Sequence, residues 1–181
     1  MDEKVKGIIK EYEGLIKKIG ITEKPFTNDE GKIILLGRRW VLLDVDYFPE
    51  FMIGVTEQVV GPIAKEFTYW FGYAYGEKVA ERQLEMGVPK EYVLPSLFAM
   101  AALFAGWSVT KIDEMDLDKG YLKVHSYNLF ELDSAKAVGR KTEFKFDRGV
   151  IDGIFSVLIN AKTQSKITLD GDTVIMEVTK R

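Results

Sequence analysis

The run from Gly61 to Trp107 constrains the fold more than any other stretch of this chain. It carries Phe67, Tyr69, Trp70, Phe71, Tyr73, Tyr75, Tyr92, Phe98, Phe104 and Trp107 within two helical patterns. Pro62 stands where a helix can begin, since a first-turn proline gives up only an N–H that has no partner. Gly87, Val88 and Pro89 interrupt the pattern, which predicts helices of roughly 23 and 17 residues on the usual stop signals. The first sets Phe67, Trp70, Phe71, Ala74 and Tyr75 at helical spacing, with Lys78, Glu81, Arg82 and Glu85 toward its wet end. The second, from Val93 to Gly106, is apolar nearly all round and is expected to be buried on most sides. Pro95 falls in its first turns, where it is tolerated. Two adjacent helices this aromatic build either a core or a pocket.

A chain of 181 residues, 46% hydrophobic and 29% charged, is long enough to bury one such core as a single domain spanning 1–181. The formal net charge is −3 and no basic block occurs, which argues against nucleic acid as a partner. Without cysteine there is no disulfide frame and no thiolate to hold a metal. The longest apolar run, around residues 97–107, is too short to span a bilayer. Met1 is followed by Asp2 and Glu3, where a secretory leader carries basic residues, so a cytoplasmic location is expected.

Residues 2–19 give the cleanest periodicity. Val5, Ile8, Ile9, Tyr12, Leu15, Ile16 and Ile19 share one helical face, and Gly20 is a natural stop. That stripe has to cover its own sheet or a second copy of the chain. A turn-rich segment, Thr22 to Gly31, leads to a predicted hairpin of Lys32–Leu36 and Trp40–Val45 joined through Gly37-Arg38-Arg39. Asp46–Val60 reads as a helix capped by Asp46, with Pro49 in its first turn and Gly61 at its end. After Trp107 the period becomes that of strands, Ser108–Met115 and Tyr121–Tyr127. In the second, Leu122 and Val124 face opposite to Lys123, His125 and Tyr127. Residues 128–145 carry no readable pattern. Phe146–Ala161 reads as a helix, and Lys166–Thr179 as a hairpin turning at Asp170-Gly171 as a type I′ pair. The order predicts an α+β fold, an antiparallel sheet with helices packed mainly on one face.

Chemistry-bearing patterns are few. Gly72-Tyr-Ala-Tyr-Gly76-Glu-Lys78 has the wrong glycine spacing for a phosphate loop, and no Ser or Thr follows the lysine. Gly149 and Gly153 repeat the same spacing, which suits close packing of one helix on another. Asp113, Glu114, Asp116 and Asp118 do not fit a calcium loop, since counting back from Gly120 puts Met115 at the first ligand position. His125, the sole histidine, has no indicated nucleophile or partner. No catalytic residue, metal site or cofactor is expected, and the balance leans against an enzyme.

Several short motifs in sequence order resemble the 4-vinyl reductase domain family between about Trp40 and Val178. They are Gly72-Tyr-Ala-Tyr-Gly76, Gly106-Trp107 leading into a strand, His125-Ser126-Tyr127, and Gly149-Val-Ile-Asp-Gly153. The resemblance implies a small-molecule-binding domain with the α+β fold of haem-based nitric-oxide sensors and of the acyl-carrying subunits of the Golgi-transport tethering complex. It also implies frequent homodimers. Many members of the family bind zinc through cysteines whose approximate matches here are Phe144, Ile167 and Ile175. These apolar side chains cannot supply a thiolate, so zinc is not expected. Reductase chemistry needs a carrier of electrons, and no dinucleotide fingerprint is present.

The resulting expectation is a dimeric module enclosing a small apolar or aromatic ligand, a hydrocarbon or a fatty chain, and signalling through a separate regulatory partner. Phe67, Trp70, Phe71, Tyr75, Phe98, Phe104 and Trp107 are the expected lining, with His125 and Tyr127 as polar groups. A scaffold or adaptor with a filled core is the alternative, and an accessory protein of tetrapyrrole or hydrocarbon reduction a third. A cavity of several hundred cubic ångströms, the usual pocket size, would favour the first over the second.

Overall fold

The computed structural model of this chain describes residues 3–18, 26–27, 30–35, 38–41 and 43–181. Helix α1 (Glu3–Lys18) buries Val5, Ile8, Tyr12 and Ile16, as its periodicity requires. Those side chains pack on α4 (Lys90–Met100) and β4 (Val109–Asp116) of the same chain. The stripe that suggested a second copy is therefore covered internally, because the apolar α4 offers it a face.

A small antiparallel sheet follows, formed by β1 (Phe26–Thr27), β2 (Ile33–Leu35) and β3 (Arg38–Trp40). The expected hairpin is present, but Arg38 and Arg39 lie in the strand, paired with Leu35 and Ile34, and neither Val41 nor Leu43, Asp44 or Val45 extends it. Leu36 and Gly37, between the two strands, lie outside the described residues. So does most of the segment read as turn-rich. Helix α2 (Glu50–Val60) starts later than Asp46, with Pro49 at its cap position. The Glu50 N–H donates to Ser134 Oγ at 3.1 Å, so a distant hydroxyl replaces the expected local cap.

Helix α3 (Ile63–Glu85) and α4 flank the Gly87–Pro89 break, as their stop signals predict. Beyond α4 the helix widens into a π turn, Ala101–Ala105, and ends at Gly106, whose φ of 66° lies in the left-handed region that glycine tolerates best. A four-stranded antiparallel sheet has the order β4-β5-β7-β6, with β5 Tyr121–Tyr127, β6 Thr163–Asp170 and β7 Thr173–Lys180. The final turn is Gly171-Asp172, one residue later than expected, since Asp170 pairs with Thr173. Only Gly171 there has positive φ, the type II′ pattern. Two further helices connect the strands: α5 (Phe130–Ala137), too short to show a period in sequence, and α6 (Lys145–Ile159).

Helix α6 is the centre of the molecule. Its Phe155 and Leu158 are fully buried, as are Leu122, Val124, Val174, Met176 and Val178 of the central strands, all in one core. Its opposite side meets α3 in the most extensive helix contact of the structure. Glycines make that contact possible. A Cβ at Gly72 would lie 2.3 Å from the Phe146 carbonyl oxygen, and one at Gly76 would lie 2.1 Å from that of Val150. Across the seam, a Cβ at Gly149 or Gly153 would lie 2.1 Å from the Tyr69 or Tyr73 carbonyl. The two backbones touch directly, so both glycine pairs are packing devices. The result is α+β, with the helices stacked on one face of the larger sheet.

Candidate ligand-binding site

The seam fixes how α3 is rotated. Ala64, Thr68, Gly72, Gly76 and Ala80 face inward, which turns the bulky residues sideways or out. Beside the seam, Tyr75, Val79 and Gln83 share the next stripe and form one wall of a cavity of about 110 Å³. Leu97, Phe98 and Met100 of α4 form a second wall, and Val150, Ile151 and Ile154 of α6 a third. Trp40 and Trp107 add a further side, and the half-exposed Arg82 and Met86 stand at the open one. An engineered apolar cavity of about 150 Å³ holds a benzene ring, so this space is on the scale of one ring.

Trp107 is held from several sides. Its N–H donates to the Ala101 carbonyl across the π turn at 3.0 Å, and its own carbonyl accepts the Phe130 N–H at 2.8 Å. The indole lies 5.8 Å from the Tyr75 ring, 5.4 Å from Phe130 and 5.7 Å from Phe146. Contacts of this kind between ring edges and faces add about 0.5–1.5 kcal/mol per pair beyond burial.

The polar groups at the cavity are sparse. Gln83 is buried, its amide nitrogen facing Met100 sulfur at 3.5 Å and its oxygen accepting from Ser96 Oγ at 3.4 Å. Ser108, Thr110 and Ser126 form a chain of hydroxyls with links of 2.9 and 3.0 Å. Arg82 stands half in solvent and pairs with Glu85 at 3.2 Å. Asp147 is only 6% exposed, and its Oδ2 has no hydrogen-bond partner. Burial pushes its carboxyl up to about 7.

Glu131 of α5 lies next to it, fully buried, and accepts the Phe146 and Asp147 N–H groups at 3.2 and 3.0 Å. These are first-turn donors of α6 that have no partner within the helix, so Glu131 serves as a cap supplied from another element. Burial first, then the neighbouring Asp147 charge, push its carboxyl up to about 8.

The residues expected at the site separate into groups. Tyr75, Phe98 and Trp107 lie at the cavity. Phe104 is half-buried in the π turn and packs against the core without lining that space. Phe67, Trp70 and Phe71 are 59%, 54% and 57% exposed, because the glycine face of α3 takes the inside position. Phe71 keeps one ring contact, 5.8 Å from Phe146. His125 stands on the sheet with its Nδ1 against Asp113. Burial alone would raise the Asp113 carboxyl, but hydrogen bonds from Lys111 and His125 hold it below its usual range. Tyr127 is buried with Lys4 of α1 5.1 Å over its ring. Neither lines the cavity. Sequence reasoning missed Gln83, Asp147 and the α6 wall. A signal for the latter exists: Asp147 shares a helical stripe with Val150, Ile151 and Ile154, an acid on an apolar face.

Among the described residues no group of three or more His, Cys, Asp or Glu side chains is placed to hold a metal. Phe144 is 3% exposed, and Ile167 and Ile175 are half-buried in the last hairpin. No helix among the described residues is long and apolar enough to cross a membrane.

No family model matches this chain, and no curated protein matches it in sequence. Among solved structures it is similar to the phenol-responsive sensory domain of the transcription activator PoxR, crystallised with phenol. That likeness has a TM-score of 0.73 and 13% identity, covering 99% of this chain and 92% of that one. It is also similar, at a TM-score of 0.48 and 11% identity, to a trafficking protein particle complex subunit 3 from Naegleria fowleri covalently bound to palmitic acid, covering 76% of this chain and 95% of that one. The first likeness establishes a shared α+β fold.

Proposed function

We propose that this chain is a small-molecule-binding domain of the 4-vinyl reductase type, which holds one small, mainly apolar ring between α3, α4 and α6. The observation that carries the reading is the cavity walled by Tyr75, Phe98 and Trp107 and open on the side of Arg82 and Met86, with few polar groups, the usual make-up of a small-molecule site. Its volume of about 110 Å³ falls short of the several hundred cubic ångströms that would by size alone favour a binding module over a filled core, and it limits the guest to a single ring, with no room for a long acyl chain. The fold shared with a phenol-responsive sensory domain supports the reading and makes phenol the first probe.

The homodimer belongs to this proposal, with a different surface from the α1 stripe. Val55 and Val59 of α2 and Ile63, Phe67, Trp70 and Phe71 of α3 are exposed apolar side chains on consecutive helices. Apolar surface of that extent marks an interaction face. Sedimentation at micromolar concentration is expected to give twice the chain mass, and Trp70→Glu to give a monomer. A monomeric parent rejects the dimer. The same stripes favour the second reading, an adaptor with a filled core.

Calorimetric titration separates the two. Phenol and toluene are expected to saturate one site per chain, and Val79→Phe to abolish binding while leaving a cooperative unfolding transition. Absence of saturable binding by either ring overturns the ligand-binding reading in favour of the adaptor.

A further inference from the structure

We infer that Ser108 is the polar anchor of the cavity, donating its hydroxyl proton to the ligand, and that the ligand is a ring bearing a hydrogen-bond acceptor, such as a carbonyl or phenolic oxygen. The inference rests on the ligand-binding reading above and adds the class of ligand to it.

The chain of three hydroxyls beside the cavity has a direction. Ser126 Oγ lies 3.0 Å from Thr110 Oγ1, which lies 2.9 Å from Ser108 Oγ. Each hydroxyl has one proton to give, so the two links leave one proton over at an end of the chain. Ser126 is 1% exposed, and Thr110 is the one partner of its hydroxyl among the described residues. Its proton goes to Thr110, because the reverse order would seal an unmet donor in the core. Thr110, also 1% exposed, passes its own proton to Ser108. The surplus proton therefore falls to Ser108, the outermost of the three at 9% exposed and a residue of the cavity lining. Accepting from Thr110 polarises the Ser108 O–H and strengthens it as a donor.

The rest of the lining agrees with a guest that accepts. The Trp107 indole and the Arg82 guanidinium hold donors and no acceptor. The Gln83 amide oxygen is taken by Ser96 Oγ, and its nitrogen faces Met100 sulfur, a weak acceptor. Asp147 does not offset these donors, because its unpartnered Oδ2 is sealed from the cavity. A ring with an acceptor atom meets the surplus proton of Ser108. A bare hydrocarbon or a donor-only ring leaves it unmet.

The test is a titration of the full chain, stripped of any carried ligand, with toluene, benzonitrile and pyrrole. These rings carry respectively neither group, an acceptor only and a donor only. Ser108→Ala is expected to lower the affinity ratio of benzonitrile to toluene about fivefold, which corresponds to about 1 kcal/mol. Toluene affinity and the pyrrole-to-toluene ratio should not change. The C≡N stretch of bound benzonitrile should be higher in the parent than in the variant, since accepting an O–H raises it. An unchanged benzonitrile ratio overturns the anchor and leaves the cavity reading standing. An equal fall in the pyrrole ratio also overturns it, by reversing the direction of donation, and loss of toluene binding in the variant overturns it by assigning Ser108 to packing. If Ser108→Ala does not fold, Ser108→Cys decides, because a thiol is close in size and a weaker donor. An unchanged ratio and an unchanged stretch in that variant overturn the anchor. No binding of any ring to the parent overturns both.

Discussion

Replacing Gly76 by alanine tests whether the α3–α6 seam governs this fold. In an ordinary helix the change is stabilising by up to about 1 kcal/mol, because alanine loses less backbone freedom. Here the new methyl would lie 2.1 Å from the Val150 carbonyl oxygen, where ordinary contact begins at 3.4 Å. The shortfall of about 1.3 Å faces main chain that has no rotamer to escape into, so the two helices must part. A gap of about 0.5–1 Å already forfeits a quarter to a half of each dispersion contact along the seam. Overpacking of this kind costs about 1–3 kcal/mol, at the upper end when the obstacle is backbone. We expect a net loss of about 2 kcal/mol after the propensity gain. Gly7→Ala in α1 is the control, since a methyl there meets nothing within 4 Å, and it should stabilise by about 0.5–1 kcal/mol. Urea denaturation of both variants, with the slopes compared to the parent, reads the two effects. A Gly76→Ala protein as stable as the control refutes direct backbone contact at the seam.

Stability should fall as pH rises from about 4 to about 8. Burial holds Asp147 up at about 7 and Glu131 up at about 8, and raises Glu50 as well, whereas unfolded carboxylates titrate near 4. The folded chain thus binds more protons across that window, and each group withdraws up to about 1.4 kcal/mol per pH unit until its folded value is passed. Denaturation midpoints near pH 5.5 and pH 8.5 check the sign, and a rising profile would contradict it. Glu131→Gln should flatten the profile, while Glu131→Leu should cost about 2 kcal/mol by stranding the two α6 N–H groups, both measurable by denaturant melts. Trp70→Ala should change monomer stability by less than about 1 kcal/mol, since the indole is 54% exposed, against roughly 3–5 kcal/mol for Phe155→Ala in the core. Comparable losses in the two would show that Trp70 is a core residue.

Periodicity made most of the architecture legible. The α1 stripe, the break at Gly87–Pro89 and the alternation of Leu122 and Val124 each reflect one element burying one face, which a sequence displays directly. The cavity was less legible for a physical reason. In α3 the large aromatic residues suggested the inside, yet the glycines at 72 and 76 win that side because only they let another backbone approach. A pattern of size, rather than of hydrophobicity, decides the rotation. Tyr75 was recoverable because it sits next to the seam, while Phe67, Trp70 and Phe71 lie outside it. The pairing of Glu131 with the start of α6 spans two elements, and local sequence carries no mark of it. His125 drew attention by chemical type alone, and its partner Asp113 emerges only from the β4–β5 pairing.

Main chain touching main chain along α3 and α6 also means that the cavity has a fixed gauge. The separation of the α3 and α6 walls cannot drift with neighbouring side chains, as it does where helices rest on leucines, while the α4 wall of Leu97, Phe98 and Met100 still rests on side chains. A change in the preferred guest therefore has to be written in the residues just off the seam, chiefly Val79, Val150 and Ile154. Each methylene exchanged there is worth about 0.8 kcal/mol of contact. Such a site is tuned in small steps, and a panel of Val-to-Ile, Val-to-Ala and Ile-to-Val changes at these positions would move it between guests differing by one carbon without disturbing the frame that holds them.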